Sequence, residues 1–105
     1  MIQLNEETKA GWCVVAVRGR ADAESAEQLE AALRAAVAKS ARVAADLSAL
    51  AYVSSAGLRA FIQTARAAEA RKGEFAICSA TPSVRRVFDM SGLNQILKLH
   101  GALPC

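Results

Sequence analysis

RVAADLSALAYVSSAGL, at residues 42–58, joins a short apolar segment to the start of an amphipathic helix. The segment from Arg42 to Ser48 is apolar on successive positions, which is typical of a parallel strand covered on both faces. A helix is predicted to begin at Ser54 and Ser55, because apolar residues then recur at helical spacing. A buried strand followed by such a helix predicts a sheet with helices packed on it.

The chain before this stretch predicts a hairpin followed by a helix. Extended segments over Ile2–Glu7 and Trp12–Arg18 flank a short turn that contains glycine. Either Asp22 or Ser25 can cap the helix that follows, and apolar residues at helical spacing carry it to about Lys39. The chain therefore opens with two strands and one helix.

The chain after this stretch alternates strand and helix. The helix that begins at Ser54 closes at Gly73, and the elements predicted after it are a strand over 74–78, a helix over 81–92 and a strand over 95–99. The order β-β-α-β-α-β-α-β indicates an α/β fold. We expect a mostly parallel sheet of four to five strands with an N-terminal hairpin, its first strand at an edge, and three or more helices packed on it.

The composition fits one small domain over residues 1–105. With 105 residues, a net charge of +3 and 53% hydrophobic residues, the chain is too short for two domains and too apolar to be disordered. No apolar run approaches the ~20 residues that a membrane span needs, and the N-terminus lacks the pattern of a signal peptide. We therefore expect a cytoplasmic protein without a membrane span.

Motifs of catalysis, metal binding and nucleic-acid binding are missing from the sequence. It has no glycine-rich nucleotide loop, HExxH or GxSxG, and its one histidine is His100. Cys13, Cys78 and Cys105 form no CxxC pair, and the first two are interpreted as small core residues within strands. Because the basic residues are spread along the chain, nucleic-acid binding is not expected. We expect no enzyme activity, no cofactor and no metal.

Polar side chains follow the predicted third strand and open the second helix. Asp46 and Ser48 end the strand, and Ser54 and Ser55 enter the helix. In open α/β sheets, ligands and partners bind at the carboxyl ends of the strands. A serine at a helix N-terminus is either a phosphate acceptor beside free N–H groups or a plain N-cap that contributes about 1 kcal/mol. Spacing alone leaves both interpretations open.

Two separated motifs resemble one family. Residues 46–58, DLSALAYVSSAGL, look like the signature of the STAS domain family, the anti-sigma-factor antagonists. Residues 79–93, SATPSVRRVFDMSGL, resemble the third helix of that family. Together with the hairpin and the final strand, the resemblance covers nearly the whole chain.

The resemblance implies a site at the start of the second helix. The phosphorylated serine of the family falls on Ser55, and Ser54 stands where many members have Asp, which makes Ser54 an alternative acceptor. Asp22 and Asp46 match acidic positions of the family and are expected to border Ser55 at the same end of the sheet. The partner-binding residues implied by the resemblance are Asp22, Asp46, Ser48, Ser54, Ser55, Ala56, Gly57, Leu58 and Arg59.

The resemblance also implies a regulatory binding module rather than an enzyme. When unphosphorylated, such a domain binds an anti-sigma factor that is an ATP-binding serine kinase of the GHKL type. The kinase phosphorylates the serine, here Ser55, and the complex dissociates. A serine phosphatase of the PP2C type resets the cycle, and the free domain is expected to be a monomer.

Two other functions would require different features of the sequence. An accessory subunit of a membrane lipid transport complex can have the same fold, but it is expected to lack the acceptor serine, and Ser55 is present. A small thiol or nucleotide-handling enzyme would need a reactive cysteine or a phosphate loop, and the sequence contains neither motif.

Overall fold

The computed structural model describes residues 2–92 and the backbone of residues 98–100. The elements in chain order are β1 (Ile2–Lys9), β2 (Trp12–Ala21), α1 (Ala26–Lys39), β3 (Arg42–Asp46), β4 (Leu50–Val53), α2 (Ser55–Ala70), β5 (Glu74–Cys78), α3 (Pro82–Ser91) and β6 (Lys98–His100). The predicted α/β fold with an N-terminal hairpin is confirmed. Of the last predicted strand, residues 95–97 lie outside the described residues, and β6 begins at Lys98.

The sheet has the order β1-β2-β3-β5-β6, so the first strand lies at an edge, as predicted. The hairpin pair β1 and β2 is antiparallel, whereas β3, β5 and β6 continue the sheet in parallel with β2. The connections between these parallel strands contain the helices, as parallel crossovers require. The carboxyl ends of β2, β3 and β5 therefore point to the same end of the sheet.

Strand β4 is the one element of the described residues that the sequence analysis did not predict. It pairs with β2 in parallel, beyond the part of β2 that pairs with β3. The register shifts between Gly19 and Arg20, and Gly19 has a φ of 98°, a conformation that glycine adopts without strain. Its four residues, LAYV, are all apolar and show no alternation, so this strand is defined by its pairing with β2 rather than by its own sequence.

The helices bury the faces that the periodicity predicts. Residues Leu29, Leu33, Ala36 and Val37 of α1 are buried, at positions that share one helix face. In α2, the ring of Phe61 meets the ring of α3 residue Phe88 edge to face, with centroids 5.9 Å apart. This contact links α2 and α3, which both begin at the carboxyl end of the sheet. Among the described residues, none of the helices has both the length and the apolar character that crossing a membrane requires.

Candidate functional site

The ends of β2 and β4 bring two predicted site residues together. Ala21 and Val53 are paired in the parallel register, and each is the last residue of its strand. The backbone N–H of Ser54 donates to the Ala21 carbonyl oxygen at 2.8 Å. Because Asp22 directly follows Ala21, this bond holds Asp22 beside the start of α2.

Gly57 allows the first turn of α2 to lie against the end of β2. A Cβ atom at this position would lie 2.6 Å from the Ala21 carbonyl oxygen and 2.9 Å from the Ala21 Cβ. Both distances are too short for any side chain larger than hydrogen. The glycine of the SSAGL motif is therefore explained by close packing between backbone segments.

The two serines at the start of α2 have different environments. Ser54 is the N-cap, and its Oγ accepts a hydrogen bond from the Gly57 N–H at 3.3 Å. Ser55 is the first helical residue and is exposed, and its hydroxyl makes no hydrogen bond to any part of the chain that the structure describes. The geometry therefore assigns the capping role to Ser54 and leaves the Ser55 hydroxyl free in solvent.

The helix that begins here favours negative charge at its N-terminus. It has 16 residues and carries no acidic residue in its first turn. The unpaired N–H groups and the aligned peptide dipoles of such a helix start are equivalent to about half a positive charge. A charge added to Ser55 would meet this positive end directly.

Asp22 is held by hydrogen bonds in the loop between β2 and α1. Its Oδ1 accepts from the backbone N–H groups of Glu24 and Ser25 at 3.1 and 3.2 Å and lies 3.1 Å from the Ser25 hydroxyl. Desolvation acts to raise the pKa of Asp22, but the hydrogen bonds from the Ser25 hydroxyl and from the two backbone N–H groups outweigh it and lower the pKa below 3.8. The Asp22 carboxylate therefore stays charged at neutral pH.

The predicted cap of α1 differs in detail from the observed one. Ser25 occupies the N-cap position, but its side chain accepts no hydrogen bond from the first turn of α1. Instead its hydroxyl is shared between the Arg20 carbonyl oxygen, at 2.7 Å, and Asp22. Ser25 is buried, so this bond fixes the loop against the end of β2.

An arginine and a tyrosine that the sequence analysis did not single out lie beside this loop. Arg20 and Tyr52 are cross-strand partners on β2 and β4, and the Arg20 guanidinium carbon lies 4.3 Å from the centre of the Tyr52 ring. The same side chain approaches Asp22, with its Nε 3.8 Å from Oδ2. Tyr52 is 41% exposed. Their pairing depends on the unpredicted strand β4, so the sequence carried no signal for it.

Asp46 and Ser48 are not brought to Ser55, contrary to the expectation that Asp46 borders it. Asp46 pairs with Ala16, five residues before Ala21 on β2, which corresponds to about 16 Å of extended chain. Its Oδ1 accepts from the Ser48 N–H at 3.0 Å, which closes the turn that leads into β4. The cause of the separation is β4, which extends the sheet past the end of β3.

The remaining predicted site residues lie on the first turns of α2. Ala56 and Leu58 are half-buried, whereas Arg59 is exposed. Arg59 forms no ion pair with any residue that the structure describes. The exposed surface at this corner therefore combines the hydroxyl of Ser55 with the guanidinium of Arg59.

The two cysteines assigned to the core lie where predicted. Cys13 is in β2 and Cys78 in β5, and both are buried. Burial, followed by the neighbouring Glu6 carboxylate, raises the pKa of the Cys13 thiol, so it stays protonated at neutral pH. Among the side chains of residues 2–92, no group of three or more His, Cys, Asp or Glu is arranged to hold a metal ion.

Comparisons of the sequence and of the structure with known proteins point to the same family. The STAS domain family model matches residues 3–103. BtrV of Bordetella bronchiseptica is 41% identical over 87 residues, which cover 82% of this chain and 75% of BtrV. The structure of an anti-sigma factor antagonist from Mycobacterium paratuberculosis matches with a TM-score of 0.87 and 31% identity, over 98% of this chain and 88% of that one. The anti-sigma factor antagonist SpoIIAA in its unphosphorylated form matches with a TM-score of 0.75 and 25% identity, over 97% of this chain and 90% of that one. The chain therefore belongs to the STAS domain family.

Proposed function

We propose that this chain is an anti-sigma factor antagonist whose binding to its partner is switched by phosphorylation of Ser55. The observation that carries the proposal is the division of roles at the start of α2. Ser54 caps the helix through its Oγ, and the adjacent Ser55 presents a free hydroxyl to solvent. The relatives described as anti-sigma factor antagonists, one of them named in an unphosphorylated form, support the same function.

In the unphosphorylated state, the corner formed by Asp22, Ser55 and Arg59 binds the partner. From the family resemblance, the proposed partner is an anti-sigma factor that is a serine kinase of the GHKL type. Binding sequesters the anti-sigma factor and so releases the protein that this factor inhibits. Because the kinase uses ATP, the proposed location is the cytoplasm.

Phosphorylation replaces the neutral hydroxyl of Ser55 with a strongly charged group. The kinase transfers the γ-phosphoryl group of ATP to the Ser55 Oγ, the hydroxyl proton is lost, and ADP leaves. The phosphate adds about 1.5 to 2 negative charges at neutral pH. The helix N-terminus stabilises that charge within the domain, but burying it against a partner shaped for a hydroxyl is costly. The complex is therefore expected to dissociate.

The reverse step restores binding. A phosphatase, proposed from the resemblance to be of the PP2C type, hydrolyses the phosphoserine with water and releases inorganic phosphate. In both steps this chain is the substrate and carries out no catalysis itself. Ser54 is disfavoured as the acceptor, because a phosphate on its Oγ would disrupt the hydrogen bond to Gly57 that caps α2.

The proposal is tested by identifying the kinase and mapping the phosphate. The Ser55→Ala variant, which cannot be released by phosphorylation, serves as bait for the kinase in an extract of the source cells. The purified kinase and ATP are then added to the wild type, to Ser55→Ala and to Ser54→Ala, and the products are analysed by mass spectrometry. We expect one phosphate on the wild type and on Ser54→Ala, and none on Ser55→Ala. A phosphate mapped to Ser54, or one retained by Ser55→Ala, would overturn the assignment.

A further inference from the structure

Arg59 lies four residues after the proposed acceptor in α2 and has no ionic partner in the part of the chain that the structure describes. The cations with ionic partners in the described part of the chain are Arg20, Arg34, Lys39 and Arg42, which pair with Asp22, Glu30, Glu6 and Glu74. Arg59 has no such carboxylate among these described residues, and its side chain is exposed. Its guanidinium is therefore free to bind an anion.

The helix itself offers Arg59 no opposing charge. Side chains interact along a helix at spacings of three and four residues. For Arg59 these neighbours are Ser55, Ala56, Ile62 and Gln63, none of which is acidic. Of these four, Ser55 alone can become an anion, and it does so only when phosphorylated.

The geometry of the helix directs Arg59 toward Ser55. Both lie in α2, and Cα–Cβ bonds in a helix tilt toward its N-terminus, so a side chain covers the turn that precedes it. Residues four apart have Cβ atoms about 5–6 Å apart. The guanidinium is planar and matches phosphate oxygens with two parallel hydrogen bonds. An acidic group placed four residues before a basic one is also the favourable order for the helix dipole.

We propose that Arg59 is the intramolecular partner of the phosphate on Ser55. Before phosphorylation its guanidinium is free to contact acidic groups of the partner protein. After phosphorylation the guanidinium forms an ion pair with the phosphate on Ser55. One modification thus adds a negative charge to the binding surface and withdraws a positive one. The biological role of this pair rests on the proposed function, whereas the pair itself is a property of this helix.

The other arginine at this corner is less suited to the role. Arg20 is held by Asp22 and lies over the Tyr52 ring, so binding a phosphate would cost it both contacts. Asp22 and Arg20 have opposite charges and approach each other, so they largely balance. The positive charge that the phosphate on Ser55 would neutralise is therefore that of Arg59.

The pair is tested on the full chain with phosphoserine incorporated at position 55 during translation, so that no kinase is needed. The second pKa of the phosphate is measured by phosphorus NMR in the otherwise wild-type chain, in Arg59→Gln and in Arg66→Gln. Arg66 is exposed on the same helix and serves as the matched control. We expect Arg59→Gln to reduce the second acid dissociation constant about 1.5- to 2.5-fold, and Arg66→Gln to leave it nearly unchanged.

Equal constants in the chain with Arg59 and in Arg59→Gln would overturn the proposal, as would an equal effect of Arg66→Gln, which would indicate a general effect of net charge. Without phosphoserine, Arg59→Gln should melt at the wild-type temperature, because the side chain is exposed and unpaired. The phosphorus NMR result does not depend on whether the proposed function is correct. If the kinase phosphorylates another residue, the proposed function fails, whereas the phosphorus NMR result still decides whether Arg59 pairs with a phosphate at position 55.

Discussion

Ser54 and Ala21 are joined by a hydrogen bond of 2.8 Å between the Ser54 amide and the Ala21 carbonyl. This bond connects two parts of the chain that are 33 positions apart in the sequence. It places the Asp22 loop beside the two serines at the start of α2, and the absence of a side chain at Gly57 permits the approach.

Ser54→Ala is expected to lower the free energy of unfolding by about 0.5–2 kcal/mol, because it removes the N-cap of α2. Ser55→Ala is the matched control and should change it by less than about 0.5 kcal/mol, since an exposed side chain is removed. Urea unfolding followed by circular dichroism measures both. The reverse order of the two effects would contradict the capping assignment.

Gly57→Ala is expected to destabilise the protein, although alanine is the better helix former by about 1 kcal/mol. The added Cβ would collide with the Ala21 carbonyl oxygen, and the necessary shift is expected to cost about 1–3 kcal/mol net. Thermal unfolding of Gly57→Ala shows the sign. A rise in melting temperature would mean that the first turn of α2 does not lie against β2.

Asp22→Asn is expected to reduce stability at neutral pH and not at low pH. Because the folded-state pKa lies below 3.8, the charged carboxylate adds stability above that pH, and this contribution is lost as the pH falls through the lowered pKa. The gap in melting temperature between the wild type and Asp22→Asn should therefore close below about pH 3.8. Asp89→Asn, at an exposed position of α3, is the control and should show no such gap. A gap for Asp22→Asn that persists at low pH would argue against the hydrogen bonds as its cause.

Asp46→Ala is expected to lower stability by about 0.5–1.5 kcal/mol, because the hydrogen bond that closes the turn into β4 is lost. Since β4 separates Asp46 from the start of α2, the rate of Ser55 phosphorylation should stay within about twofold of the wild type, a difference of roughly 0.4 kcal/mol. Asp46→Asn keeps the acceptor oxygen and should unfold like the wild type. A large decrease in the rate of phosphorylation of the folded Asp46→Asn variant would show that the kinase contacts the Asp46 carboxylate directly.

Ser55→Asp is expected to affect folding and binding in opposite directions. A carboxylate in the first turn of α2 is favourable by about 0.3–1 kcal/mol. The same charge must be desolvated against the partner, so binding to the captured kinase should weaken. Calorimetric titration and thermal unfolding measure the two effects on one preparation. Equal affinities for Ser55→Asp and the wild type would argue against an electrostatic switch.

Elements whose signals are local could be predicted from the sequence alone. Helix α3 is an example: the Thr81 side chain accepts from the Val84 N–H, Pro82 is the first helical residue, and Gly92 ends the helix with a φ of 78°. Each of these is a preference of one residue for one backbone conformation, so it is visible without the rest of the molecule. The apolar periodicity of α1 and α2 was readable for the same reason.

The tertiary structure alone decided how the candidate site is assembled. Strand β4 exists because it pairs with β2, and this pairing separates Asp46 from Ser55 while it places Asp22 beside Ser54. The spacing of residues did not show which of Ser54 and Ser55 caps α2. The hydrogen bond from the Gly57 N–H to the Ser54 Oγ identifies Ser54 as the cap and Ser55 as the residue with the free hydroxyl. Strand register is a relationship between distant segments. A shift of register along β2 moves a side chain by about 3.3 Å per residue without changing the conformational preference of any residue, so the sequence carries no local signal for it.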